Sequence, residues 1–227
     1  MMDDKAIEEH YKKYGNTNLI TNSGLENNIQ IHAIGDSHSI FFHNSMKIHE
    51  HWGQIHSIYN LVKKGIDLFN LGNRLGHGHE KYNIKMNDYV IFYYGYNDIQ
   101  KHFYINYRNN IENNIEHLIN SYIESIIYLK NTYKIVPIIP CIYPLPIKKG
   151  SLDIRGSDEE RINYIQITNK LLESKCKEHN ILFLNIYDYI SNNKKLNEKY
   201  TVDGIHLDYN NIELRTYIEA KIYELII

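Results

Sequence analysis

The 227-residue chain is poor in cysteine and proline and carries almost no net charge. Its two cysteines, Cys141 and Cys176, share no metal-ligand spacing and sit in apolar or helical surroundings, so they read as buried thiols and not as a disulfide framework. With 25 basic against 27 acidic residues there is no basic excess, which sets nucleic acid aside as a partner. No run of about 18 apolar residues occurs, so no membrane span is expected. The opening Met1-Met2-Asp3-Asp4-Lys5 lacks a positively charged start with an apolar stretch behind it. No secretory signal is read there, and a cytosol-like compartment is the expectation. There is no H-E-x-x-H, and the alternating pairs His49/His51 and His77/His79 have no carboxylate at matching spacing. No metal site and no cofactor are expected.

What is present is enough apolar residue, 43%, to build a core, and 21 tyrosines, a bias that an AT-rich coding sequence explains without function. Residues 1–28 are polar with one short helical pattern and read as an N-terminal extension; 29–227 read as one domain, with no repeat and no linker. Strands are predicted at 29–34, 66–71, 88–94, 135–143 and 181–186. The stretch 40–60 is mixed, part helix, broken at Gly53. Apolar positions at 111, 115, 118, 119, 122, 123, 126 and 127 make a helical stripe. Further helices are expected from a cap at Asp158 to about 178 and at the C-terminus. All four prolines fall between 137 and 146, two of them inside the fourth strand, which should therefore be short and irregular at one end. Strands alternating with helices imply a parallel sheet covered on both faces.

Against that frame, three short blocks carry chemistry. Gly35-Asp36-Ser37-His38-Ser39 follows the first strand, which puts the Ser37 hydroxyl at the carboxyl edge of the sheet, where open α/β folds bind ligands. The helix start behind it supplies unpaired backbone N–H groups. Asp203-Gly204-Ile205-His206 follows the last strand and places a base and a group to orient it within one turn: His206 to accept the Ser37 proton, Asp203 to hold the other ring N–H. Gly95-Tyr96-Asn97-Asp98 ends the third strand, and the Asn97 amide can face an oxyanion together with the N–H groups of Ser37 and Gly72. Asp36 reads as structural, satisfying backbone N–H groups around its turn.

These three blocks, in this order and each after a strand, resemble the SGNH (GDSL-like) hydrolase superfamily. The resemblance covers about 29–227 and implies a three-layer α/β/α fold with a flavodoxin-like five-stranded parallel sheet. It implies a Ser37–His206–Asp203 esterase with an oxyanion hole made by Ser37, Asn97 and a glycine, either Gly72 or Gly76. Residue 38 departs from the family pattern, being His38 where leucine is commonest. His38, Tyr96 and His102 are candidate substrate contacts, and Tyr94, Tyr96, Phe103, Tyr104 and Tyr107 form either core and groove wall or a sugar-stacking wall. The expected activity is hydrolysis of small acyl esters, O-acetyl groups on carbohydrate above all. The alternatives are acyl transfer to a glycan at the same site and a non-catalytic glycan-binding module. Oligomeric state stays open.

Overall fold

The computed structural model describes residues 29–42, 48–52, 57–58, 61–62, 84–106, 110–148 and 154–227. Five parallel strands form the central sheet: β1 (Ile31–Gly35), β2 (Ile48–Trp52), β3 (Tyr89–Tyr93), β4 (Val136–Pro140) and β5 (Leu182–Leu184). Their order is β2-β1-β3-β4-β5, the flavodoxin-like arrangement, with the order reversing between β1 and β3. Register runs Ile31 opposite Ile48 and Tyr89, and Tyr89 opposite Val136.

Side chains alternate across the sheet as the pleat requires. Ile34, Val90, Phe92 and Ile139 face one layer, where they meet α1 (Ile111–Tyr133) through Ile119 and Ile123, and α2 (Asp158–Glu178) through Ile165 and Leu172. Ile31, Ala33, Ile91 and Ile138 face the other, against Leu214, Ile218 and Ile222 of α3 (Ile212–Ile226). Each such isoleucine or leucine taken fully out of water contributes roughly 1.5–3 kcal/mol. The result is three layers, α/β/α.

Three details differ from the sequence-based expectation. The edge strand beside β1 is Ile48–Trp52, inside the stretch expected to be partly helical; a strand reading His-Glu-His between Ile48 and Trp52 has no apolar alternation to announce it. The predicted strand at 66–71 and the extension at 1–28 lie outside the described residues. Helix α2 is capped by Ser157, not Asp158: Ser157 Oγ accepts the Glu160 N–H at 3.1 Å while Glu160 Oε2 accepts the Ser157 N–H at 2.7 Å, a reciprocal capping box.

Strand β4 is regular despite Pro137 and Pro140. Val136 N–H bonds back to Asp88 on the β3 side and Cys141 N–H to Leu184 on the β5 side, so N–H groups alternate between neighbours. Pro137 would have donated toward β5 before pairing with β5 begins at Ile138, and Pro140 toward β3 after pairing with β3 ends at Ile138. Neither missing N–H removes a ladder bond.

Candidate active site

The first block forms a tight turn at the end of β1. Asp36 N–H bonds to the Tyr93 carbonyl at 3.0 Å, drawing the turn so close to β3 that a Cβ on Gly35 would lie 2.2 Å from that oxygen. Only glycine fits there. Ser37 then opens a 3₁₀ turn, Ser37–Phe42. Asp36 Oδ1 accepts the His38 N–H at 2.9 Å, and the Asp36 carbonyl accepts from Ser39 N–H and Oγ. The Ser37 N–H makes no hydrogen bond among the described residues.

The last block is a turn held by its own carboxylate. Asp203 Oδ1 accepts the N–H groups of Ile205 and His206, each at 2.8 Å, and the Gly204 N–H donates to Thr201 Oγ1 at 2.9 Å. Gly204 sits at φ +81°, in the left-handed region that disfavours a side chain. This folding places the imidazole: His206 Nδ1 is 2.6 Å from Asp203 Oδ2, and His206 Nε2 is 2.9 Å from Ser37 Oγ.

The protonation pattern follows. Burial alone would raise Asp203, but hydrogen bonds from the His206 ring and from the His206 and Ile205 N–H groups outweigh it and hold the carboxyl down to about 2. An ionised carboxylate only accepts, so Nδ1 carries the ring proton and Nε2 presents a lone pair to the Ser37 hydroxyl. Hydroxyl, imidazole and carboxylate thus stand in one hydrogen-bonded row.

The third block starts a helical segment at Tyr96 and Asn97 that continues as a π turn over Asp98–His102 and one α turn over Phe103–Asn106. Asp98 is fully buried and its Oδ2 accepts the Ile58 N–H at 2.6 Å, tying this segment to Ile58. Asn97 Nδ2 donates to Asp36 Oδ2 at 3.4 Å, which brings its amide nitrogen beside the Ser37 turn. Burial lifts the Asp36 carboxyl from 3.8 to about 7; the His38 N–H works against the shift and Asp98 adds to it.

Ser37, Asp203, His206 and Asn97 thus converge, and His38 and Tyr96 stand beside them, with the His38 ring centroid 5.0 Å from that of His206 and 4.3 Å from that of Tyr96. His102 ends the π turn and does not line the cavity next to Ser37. Tyr94, Tyr96 and Phe103 are buried, so this part of the tyrosine-rich stretch is packing and not an exposed sugar wall. Gly72, Gly76, Tyr107 and the His77/His79 pair lie outside the described residues. Among the described residues no three metal-ligand side chains gather, and no helix is long and apolar enough to cross a membrane. Sequence reasoning missed Tyr143, which closes the site from the end of β4 with its ring 5.3 Å from that of His38. Its place just past a strand's carboxyl end was the available signal.

Fold and rim together are those of an ester hydrolase built on a parallel sheet. The chain belongs to the GDSL-like lipase/acylhydrolase family, whose profile matches residues 31–209. Solved structures of like fold include a GDSL-like lipase from Bacteroides thetaiotaomicron, at 19% identity and TM-score 0.57 over 96% of this chain and 98% of that one. A member of the lipolytic G-D-S-L family from Veillonella parvula matches at 15% identity and TM-score 0.51, covering 87% and 99%. A catalytic mutant of an acetylxylan esterase from Geobacillus stearothermophilus matches at 9% identity and TM-score 0.53, covering 88% and 96%. At these identities the likeness is one of fold. No curated protein matches the sequence significantly.

Proposed function

We propose that the protein is a serine esterase that hydrolyses short acyl esters, O-acetyl groups on carbohydrate in particular, through Ser37, His206 and Asp203. The observation that carries this reading is the 2.9 Å contact between Ser37 Oγ and an imidazole nitrogen whose partner nitrogen is held by an ionised carboxylate.

In the first half-reaction Ser37 Oγ bonds to the ester carbonyl carbon as its proton passes to His206 Nε2. The carbonyl electron pair moves to oxygen, facing the Ser37 N–H and the Asn97 amide, with the Gly72 or Gly76 N–H as third donor. Collapse restores the carbonyl and breaks the bond to the alcohol, which leaves with the proton from His206. Water then adds to the acyl carbon with His206 again taking the proton; Ser37 Oγ departs and regains it, and the carboxylic acid is released. Asp203 stays ionised and stabilises the imidazolium in both halves. The short acyl chain is supported by the tight, tyrosine-walled space beside Ser37. A carbohydrate as the alcohol part of the ester is suggested by the acetylxylan esterase of like fold.

A fluorophosphonate probe should label the full-length protein at Ser37, and 4-nitrophenyl acetate should be turned over. Labelling elsewhere, or undiminished turnover by Ser37→Ala, would overturn the reading.

A further inference from the structure

Beside the Ser37 turn lies a small cavity of ≈ 10 Å³, walled by Asp36, His38, Tyr93, Tyr96, Cys141 and Tyr143. That is about the space a single water requires. Four of its wall groups are polar, buried and without a hydrogen-bond partner among the described residues: the Tyr93 and Tyr143 hydroxyls, and the pair His38 Nδ1 and Tyr96 hydroxyl. His38 and Tyr96 are only 5% and 6% exposed, so bulk water does not serve them. Leaving such a group unpaired costs about 1–3 kcal/mol, which makes the pair a standing preference for a polar occupant. Burial and the neighbouring His206 push His38 down to about 3, opposed by Asp203, so its ring is neutral, with one nitrogen a donor and the other an acceptor. Burial also raises the Tyr96 hydroxyl far above its ordinary range, so it keeps its proton to donate. The Cys141 thiol, pushed up to about 12 by burial, offers no second nucleophile.

The cavity starts at the residues on either side of the nucleophile, Asp36 and His38, and the His38 ring neighbours the ring that receives the Ser37 proton. We propose that the cavity is a polar acyl subsite that selects 2-hydroxyacyl esters, of the glycolyl type, over alkanoyl esters of the same size. The terminal hydroxyl of a glycolyl group fills a water-sized space and pairs with His38 and Tyr96. An isosteric propionyl group displaces the same water and strands both partners. An acetyl group is one atom shorter and leaves the water in place. The proposal rests on the serine-esterase reading and adds a substrate class to it.

The test compares phenyl glycolate, phenyl propionate and phenyl acetate on the full-length protein, each rate divided by that ester's uncatalysed rate. The glycolyl ester should exceed the propionyl ester in kcat/KM by about tenfold or more. The ratio should fall toward one in His38→Leu and in Tyr96→Phe, the latter removing a single oxygen and keeping the ring in place. A propionyl rate equal to or above the glycolyl rate in the parent protein overturns the subsite, as does a preference that survives in both variants. Ser37-dependent turnover with a ratio near one fails the subsite alone. Absence of all turnover, with Ser37 unlabelled by a fluorophosphonate, fails the esterase reading and the subsite with it.

Discussion

Two histidine–aspartate pairs sit at opposite ends of the sheet. His206 and Asp203 stand at the carboxyl rim, 2.6 Å apart, with side chains 36% and 44% exposed. His32 and Asp88 lie at the amino end of β1 and β3, 3.2 Å apart and 2% and 1% exposed. The residue types are the same and the uses differ. Asp88 spends its oxygens on backbone: Oδ1 accepts the Gln30 N–H at 2.9 Å and Oδ2 the Lys85 N–H at 2.6 Å. It pins the start of β1 to the turn before β3, and His32 completes a buried polar cluster. Asp203 also accepts backbone N–H groups, but with one oxygen only, and turns the other to a ring whose far nitrogen meets a hydroxyl. On the proposed esterase reading, the rim pair works on the hydroxyl at its outer end, while backbone surrounds the buried pair.

Substitutions can break that contrast. His206→Ala should lower ester turnover on the order of 10⁴-fold or more, and Ser37→Ala/His206→Ala should lower it hardly further, because the two act as one unit. Additive losses, read from kcat of single and double variants, would separate the rim pair from the serine. Asn97→Ala should cost on the order of 10²–10³ in kcat with KM little changed, as loss of one oxyanion donor does. An effect confined to KM would place Asn97 outside the reacting centre.

At the other end, Asp88→Ala should destabilise the fold by about 2–4 kcal/mol in urea unfolding, since it takes the acceptor from the Gln30 and Lys85 N–H groups. The folded fraction should keep kcat/KM within about threefold of the parent, as a structural role far from the rim requires. A large kinetic loss in folded Asp88→Ala would erase the distinction between the two pairs.

Asp36 sharpens the comparison because it is buried like Asp88 yet belongs to the rim. Its carboxyl is raised from 3.8 to about 7, so between those values the native chain holds a proton that the unfolded chain has lost. Stability from this group is complete below about pH 4 and is lost as pH rises toward 7. Asp36→Asn should therefore flatten the decline of unfolding free energy across that window. Identical slopes in parent and variant would show that Asp36 does not hold its proton there.

The sequence was most legible where local rules act alone. The stripe from 111 to 127 marks α1, apolar runs mark β1, β3 and β5, and the Ser37 and Asn97 blocks sit where β1 and β3 stop. The helix ran on to Tyr133 and the cap at α2 was one residue off, because fraying and capping depend on side-chain geometry that a pattern does not carry. Strand β2 was invisible because a run reading His-Glu-His between Ile48 and Trp52 carries no apolar alternation. The prolines of β4 argued against regularity, and only the register showed that their missing donors point past the ends of both ladders.

By itself the chain determined which groups are available and in what order: a hydroxyl after the first strand, an amide after the third, a carboxylate and an imidazole within one final turn. Spacing and residue type settle that much because turns and strand ends are local. The tertiary structure alone decided that Ser37 and His206, 169 residues apart, meet at 2.9 Å. It also decided that His38 is neutral and without a hydrogen-bond partner at Nδ1 among the described residues while His206 is held by a carboxylate. Proximity between distant segments and removal from water both arise from the packing of the layers, which no local pattern encodes.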